Sequence, residues 1–162
     1  MKKIGMGWQC SVYELDRNTV LKLKNTAFSQ FWKILCTAGP LPLLQGEMNR
    51  VRRDYERSLG IAQDILALPG FDKGMFGNPA ISMSDYSYTQ DKVIPLKKAI
   101  AAASIAQQKE YYMQYIELLK YLWSFGVHEG IFNFALNAGI DKDGRLILID
   151  LGELTADKQL AL

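Results

Sequence analysis

A glycine-containing segment near the start of the chain has residue types that suit phosphate binding. Gly5, Gly7, Cys10 and Val12 stand in the pattern Gly-x-Gly-x-x-Cys-x-Val. Glycines let the backbone approach an anion closely, and exposed backbone amides can then donate hydrogen bonds to it. The alternative interpretation is an ordinary turn between two strands, for which glycines are equally common.

A second group of residues near the end of the chain offers oxygen atoms suited to a hard cation. Asp150 follows the apolar run 146–149 and precedes Leu-Gly, so it lies where a predicted strand gives way to a loop. Carboxylate and amide oxygens are suitable ligands for Mg²⁺, which also retains waters and phosphate oxygens. The alternative is that Asp150 only begins a turn.

The elements that would position these residues are segregated along the chain, which indicates an α+β fold. The helix predicted over 105–125 has its apolar residues at helical spacing, which predicts one buried face. That face comprises Tyr112, Tyr115, Ile116, Leu119, Leu122 and Trp123. The spacing and turn residues predict strands over 2–15, 18–24 and 80–84, helices over 27–37, 45–64, 96–103 and 105–125, loops over 70–79 and 127–139, a turn-like segment over 85–95, and a hairpin over 138–150.

Composition restricts the class of protein. The 162 residues are 49% hydrophobic and 22% charged, which is typical of one soluble globular domain. The net charge of +2 favours neither nucleic acid nor a membrane surface as a partner. Two cysteines without metal-ligand spacing, no signal peptide and no apolar run near about 18 residues lead us to expect a cytoplasmic protein.

In this order, the glycine segment, a lysine strand and the Asp150 hairpin resemble the protein-kinase-like superfamily, and small bacterial kinase-like proteins in particular. The family's flap reads Gly-x-Gly-x-x-Gly-x-Val, so Cys10 replaces its third glycine. The resemblance implies a two-lobed kinase-like fold with a small β-rich N-terminal lobe and an abbreviated helical C-terminal lobe that carries a β-hairpin. We expect a single domain over 1–162, with the N-terminal lobe at about 1–84, the hinge at 85–95 and the C-terminal lobe at 96–162.

The resemblance also implies ATP and Mg²⁺ as cofactors, with backbone groups of 81–88 on the adenine side. The family's strand lysine contacts the phosphates and pairs with a glutamate on the following helix. Lys22 matches that strand, but Lys24 has the same strand parity and could be the functional lysine. Glu56 is preferred over Glu47 as its partner. The nucleotide-binding residues implied in this way are Gly5, Gly7, Val12, Lys22 and Glu56.

The catalytic loop of the family, Gly-Ile-x-His-x-Asp-x-x-x-x-Asn, fits this chain in two registrations. Counting forward from His128 puts Gly130 at the aspartate and Ala135 at the asparagine. Counting back from the aspartate that ends the last strand puts Phe132 and Asn137 at those positions. The second requires two extra residues after His128, but it is preferred because the match from Asn137 onward has no gaps. It implies that Asn137 and Asp150 hold the metal.

Neither registration provides the aspartate that accepts the proton of the substrate hydroxyl. Glu129 and Asn133 are weak substitutes for that base, and His128 is expected to support the loop. Because phosphoryl transfer depends mainly on positioning and electrostatics, loss of the base weakens the reaction without forbidding it.

Three functions remain open at the level of sequence. The first is an ATP- and Mg²⁺-binding protein that transfers a phosphoryl group to a hydroxyl of an unknown acceptor. The second is a pseudokinase that acts as an interaction module, with a protein partner or a homo-oligomer contacting helix 105–125. The chain ends ten residues after Gly152, so we expect no activation segment and an uncovered apolar face on that helix. The third is an α+β domain in which the motifs are coincidental.

Overall fold

The N-terminal lobe is built on one antiparallel sheet. The computed structural model describes residues 1–38, 44–130 and 133–156. The sheet has five strands in the order β1-β2-β3-β5-β4. Its strands are β1 Lys2–Met6, β2 Cys10–Glu14, β3 Thr19–Lys24, β4 Ala80–Ser82 and β5 Ser87–Asp91.

Strand β5 corrects the expectation that 85–95 is a turn-like segment. Polar residues in this stretch are buried, and Gln90 and Tyr88 are each 1% exposed. The Gln90 side chain donates to the carbonyls of Phe76 and Leu148, at 2.7 and 3.1 Å. A buried amide is tolerated once its hydrogen bonds are made. Residues 87–91 of the predicted hinge therefore belong to the N-terminal sheet.

Two helices complete this lobe, namely α1 Ala27–Ala38 and α2 Leu44–Leu66. Helix α2 buries the apolar face predicted from its spacing, comprising Val51, Tyr55, Leu59 and Ala62. It packs against a short 3-10 helix, Leu151–Glu153, which immediately follows Asp150. Packing of α2 thus fixes the position of the second candidate motif.

The C-terminal lobe is mainly helical and carries two small sheets. One sheet has the order β6-β8-β9 and the other pairs β7 with β10. The β8–β9 hairpin matches the prediction, and Gly144 adopts a positive φ of 80° in its turn. The elements are β6 Ile94–Pro95, α3 Leu96–Ala102, α4 Ile105–Ser124, β7 His128–Glu129, α5 Phe134–Asn137, β8 Ala138–Ile140, β9 Leu146–Leu148 and β10 Leu154–Thr155.

Helix α4 has one buried and one exposed apolar face. Tyr115 and Leu122 are buried as predicted. Tyr112, Ile116 and Trp123, predicted on the buried face, are 52%, 43% and 41% exposed. That prediction was wrong because the apolar stripe is wider than the surface that the described part of the chain packs against it.

The predicted α+β, two-lobed kinase-like fold is confirmed, with a β-rich N-terminal lobe and a helical C-terminal lobe that includes the hairpin. In the described ranges, none of the helices combines the length and hydropathy that a bilayer crossing requires.

Candidate functional site

The glycine segment forms a tight turn between β1 and β2, which we call the flap. The Gly7 amide donates to the Cys10 carbonyl at 2.8 Å. Asn25, which is 6% exposed, fastens the turn: its side-chain amide donates to the carbonyls of Gly7 and Trp8, each at 3.0 Å. The backbone amide of Asn25 donates to the Gln9 carbonyl at 2.9 Å. The flap carbonyls are therefore directed toward Asn25, a residue that sequence reasoning missed.

The fold itself does not require glycine at position 5, in β1, or at position 7, in the flap. A Cβ atom added at Gly5 would lie 3.6 Å from Val12, and one added at Gly7 would lie 3.5 Å from the Cys10 carbonyl oxygen. Both are ordinary van der Waals contacts. Glycine is therefore not needed at either position to avoid a clash. The absence of a side chain leaves space beside the flap. Val12 lies directly opposite Lys22 in the sheet.

The flap contacts the segment after Asp150 directly. The Gln9 side chain donates to the Gly152 carbonyl at 3.0 Å. A Cβ atom at Gly152 would lie 2.1 Å from Gln9 Oε1 and 2.7 Å from Cδ2 of the buried Tyr55 ring. Glycine is therefore required at 152 by close packing.

The two lysines of β3 share a face, as strand alternation predicts, but they have different partners. Lys22 is 7% exposed, donates to the Ile149 carbonyl, and lies over the Tyr88 ring at 5.2 Å from its centroid. Lys24 forms an ion pair with Glu56 and lies 4.8 Å from the Tyr86 centroid. Lys22 thus reaches the residue immediately before Asp150.

The expected pair between Lys22 and Glu56 is not formed, because Glu56 approaches the end of β3 and pairs with Lys24. The alternative glutamate, Glu47, pairs instead with Arg50 on its own helix, through hydrogen bonds that include one of 3.1 Å from Arg50 Nε. The structure therefore keeps both lysines as candidates, one against the hairpin and one against α2.

Asn137 and Asp150 are brought together by the β8–β9 hairpin. The Asn137 carbonyl accepts from the amides of Ile149 and Asp150, at 2.7 and 3.3 Å. Asp150 Oδ1 accepts from the Gly152 amide at 3.0 Å, and the Asn137 side-chain amide donates to Glu153 Oε2 at 2.8 Å. The two residues predicted to hold the metal are thus neighbours.

Two further carboxylates, those of Glu129 and Glu153, lie close to Asn137 and Asp150. Glu129 is completely buried, and its Oε2 accepts from the Tyr115 hydroxyl at 2.6 Å. Burial raises the pKa of Glu129 to about 7; the Tyr115 hydrogen bond opposes this increase, and the charges of Glu153 and Asp150 add to it. Burial, followed by the charge of Asp150, also raises the pKa of Glu153. Accumulated negative charge of this kind is relieved by a cation.

The candidate bases differ in their access to solvent and ligand. Glu129 is enclosed and bonded to Tyr115, whereas Asn133 lines the open cavity described below. His128 is buried, and its Nδ1 lies 2.7 Å from the Glu129 carbonyl, a contact consistent with support of the loop. Phe132, which the preferred registration places at the catalytic position, lies outside the described residues.

The side-chain oxygens of Asp150 and Asn137 are of the type that binds Mg²⁺ when phosphate supplies further ligands. Over the described ranges, no group of three or more His, Cys, Asp or Glu side chains is arranged to hold a metal ion. Mg²⁺ commonly uses only one or two carboxylates and completes its shell with waters and substrate phosphates. Asp150 and the Asn137 side-chain oxygen fit that mode.

A cavity of about 810 Å³ connects these parts. It lies between the flap, helix α2 and the segment after Asp150, and that volume is in the range of small-molecule sites. Residues 81–88, expected on the adenine side, contribute nothing to its lining, and neither do Lys22 and Glu56. The residues that line it include Gly7, Trp8, Gln9, Cys10, Arg50, Arg57, Gly130, Asn133, Asn137, Asp150, Gly152 and Glu153.

Comparison with known proteins identifies the fold. No sequence family and no curated protein sequence matches the chain. Among solved structures, monomeric WbdD is similar with a TM-score of 0.57 and 18% identity over 92% of this chain and 33% of WbdD. The complex of Rv3197 with erythromycin from Mycobacterium tuberculosis is similar with a TM-score of 0.53 and 14% identity, over 98% of this chain and 46% of Rv3197. The chain thus spans less than half of either protein, and the similarity shows a shared fold.

Proposed function

We propose that this protein binds ATP with Mg²⁺ between the flap and the β8–β9 hairpin. The observation that carries the proposal is that Asn137 and Asp150 lie side by side and face the same cavity as the flap. Glycines that the fold does not require, at positions 5 and 7, leave space for a close approach of phosphates. The kinase-like fold supports the same assignment.

In this proposal, the protein positions the nucleotide and neutralises its charge. Asp150 and Asn137 would hold Mg²⁺, which would supply positive charge that offsets the negative charge of the phosphates. Flap amides and Lys22 or Lys24 contact the phosphates. Because Glu129 is enclosed, Asn133 is better placed to orient a hydroxyl acceptor. The resulting activity is phosphoryl transfer to a hydroxyl, driven by positioning rather than by a strong base.

Thermal stability measurements with ATP test this proposal. We expect ATP with Mg²⁺ to stabilise the wild-type protein by about 2.7 kcal/mol at a concentration 100 times the dissociation constant. Asp150→Ala should lose the Mg²⁺-dependent part of the shift. Asp143→Ala, which removes an exposed carboxylate from the same hairpin, should retain it. A cooperatively folded wild-type protein that shows no shift with any nucleotide would contradict the proposal.

A second candidate function is a pseudokinase that self-associates through the exposed face of α4. This face presents Tyr112, Ile116 and Trp123 to solvent. An apolar stripe along one helix can pack against the same stripe of a second copy about a two-fold axis, so we infer a second copy of this chain as the occupant.

Sedimentation equilibrium tests the second candidate. We expect a concentration-dependent dimer that Ile116→Glu converts to a monomer, because the substitution puts two charges at the centre of an apolar contact. Gln63→Glu introduces the same charge at an exposed position of α2 and should leave the dimer intact. A wild-type protein that remains monomeric at every concentration would rule out self-association through this face.

A further inference from the structure

The positive side chains of the proposed nucleotide site differ in whether they already have a partner. Lys22 donates to the Ile149 carbonyl, and Lys24 is paired with Glu56. Arg50, which lines the cavity, is paired with Glu47 and lies 3.6 Å from an Asp54 oxygen. These three cations therefore have protein acceptors in the ligand-free arrangement.

Arg57 is the exception. It lies two turns after Arg50 on the same face of α2, and it lines the same cavity. Within the parts of the chain that the structure describes, its guanidinium makes no ion pair and no side-chain hydrogen bond. The cavity also holds the carboxylates of Asp54, Asp150 and Glu153, and among the described residues none of them forms an ion pair with Arg57.

The position of the cavity suggests which anion this guanidinium would meet. Its walls are the flap and the pair Asn137 and Asp150, whereas the expected adenine-side segment 81–88 is absent from them. We therefore assign the cavity to the terminal phosphate of the proposed nucleotide site; Lys22 does not line it. Guanidinium groups bind phosphate oxygens in a bidentate manner, with charge-assisted hydrogen bonds.

We propose that Arg57 binds the terminal phosphate of the nucleoside triphosphate and thereby makes the site prefer a nucleoside triphosphate to a nucleoside diphosphate. This inference rests on the proposed function, which it deepens by naming the residue that recognises the terminal phosphate. Arg57 lies on α2, outside the flap, strand β3 and the β8–β9 hairpin. The proposal assigns it a binding role and no covalent step.

Isothermal titration calorimetry with three ligands in the presence of Mg²⁺ tests the proposal. The ligands are ATP, ADP and inorganic tripolyphosphate, which carries a terminal phosphate without a nucleoside. The variants are Arg57→Gln and a matched control, Arg53→Gln, which removes an exposed arginine one turn earlier on α2 that does not line the cavity. Circular dichroism serves as the check that both variants fold.

We expect Arg57→Gln to weaken ATP binding by at least about tenfold, the size of one charge-assisted phosphate contact. Tripolyphosphate binding should weaken similarly, ADP binding should change by less than about twofold, and Arg53→Gln should match the wild type. Equal weakening of ATP and ADP, or ATP binding as tight as in Arg53→Gln, would overturn the role of Arg57. If the wild type binds tripolyphosphate in an Arg57-dependent way but binds no nucleotide, the proposed function fails while the anion site stands. If the wild type binds none of the three ligands, the proposed function and the proposed role of Arg57 both fail.

Discussion

Leu122→Ala is expected to lower the free energy of unfolding by about 2–5 kcal/mol. Leu122 lies on the buried face of α4 and is completely inaccessible to solvent. It belongs to the core that joins α4 to α2 and to the hairpin strand β9. Truncation removes buried apolar atoms and leaves a cavity that the surrounding close-packed side chains fill only in part.

Ile116→Ala on the opposite face of the same helix is the control for that substitution. Its side chain is 43% exposed, so the cost should be less than about 1 kcal/mol. Chemical denaturation at a protein concentration below the dimerisation range measures both. Similar losses for the two variants would show that the exposed face of α4 is buried in solution and would contradict the two-faced description of the helix.

Glu129→Gln is expected to raise the free energy of unfolding at pH 8 by up to about 3 kcal/mol. Burial raises the pKa of Glu129 from 4.5 to about 7, so the native state favours the protonated carboxyl. Between pH 4.5 and about pH 7, Glu129 is therefore ionised in the unfolded state but still protonated in the native state. The stability contributed by this group is therefore complete below about pH 4.5 and is lost as the pH rises through about 7. Glutamine remains neutral and still accepts from the Tyr115 hydroxyl.

Denaturation at pH 5 and pH 8 without Mg²⁺ gives the free energy of unfolding of Glu129→Gln and of the wild type. The difference between the two proteins isolates the contribution of Glu129 from that of other titrating groups. The difference should be small at pH 5 and large at pH 8. Glu110→Gln, an exposed glutamate on α4, should show no such change. A Glu129→Gln protein that is less stable than wild type at pH 8 would show that the carboxylate is ionised and stabilised in the native state.

Elements with regular apolar spacing could be predicted from the sequence, because their pattern depends on local geometry. Helix α2 buries Val51, Tyr55 and Leu59 as its 3.6-residue period requires. Strand β5 was missed because polar Gln90 is buried in it, and its hydrogen-bond acceptors, Phe76 and Leu148, are supplied by other elements. No local pattern reveals such partners.

The same distinction applies to the candidate site. The proximity of Asn137 to Asp150 follows from the register of a hairpin, which the turn residues indicate. Strand parity placed Lys22 and Lys24 on one face, but the partner of each depends on how α2 and the hairpin pack against the sheet. Arg57 carries no motif, and only the shape of the cavity brings it to the site.

Gln9 contacts Gly152 of the 3-10 helix, and Lys22 contacts Ile149 at the end of the hairpin, so these bonds join the flap and β3 to the segment around Asp150. A ligand whose phosphates use Lys22 must first separate that pair, so binding includes an opening step. At high ligand concentration the observed association rate then levels off at the rate of opening. The apparent affinity is also weaker than the intrinsic affinity, in proportion to the fraction of molecules that are open. If the proposed site binds phosphates in this way, its association rate is limited by opening of the protein rather than by diffusion of the ligand.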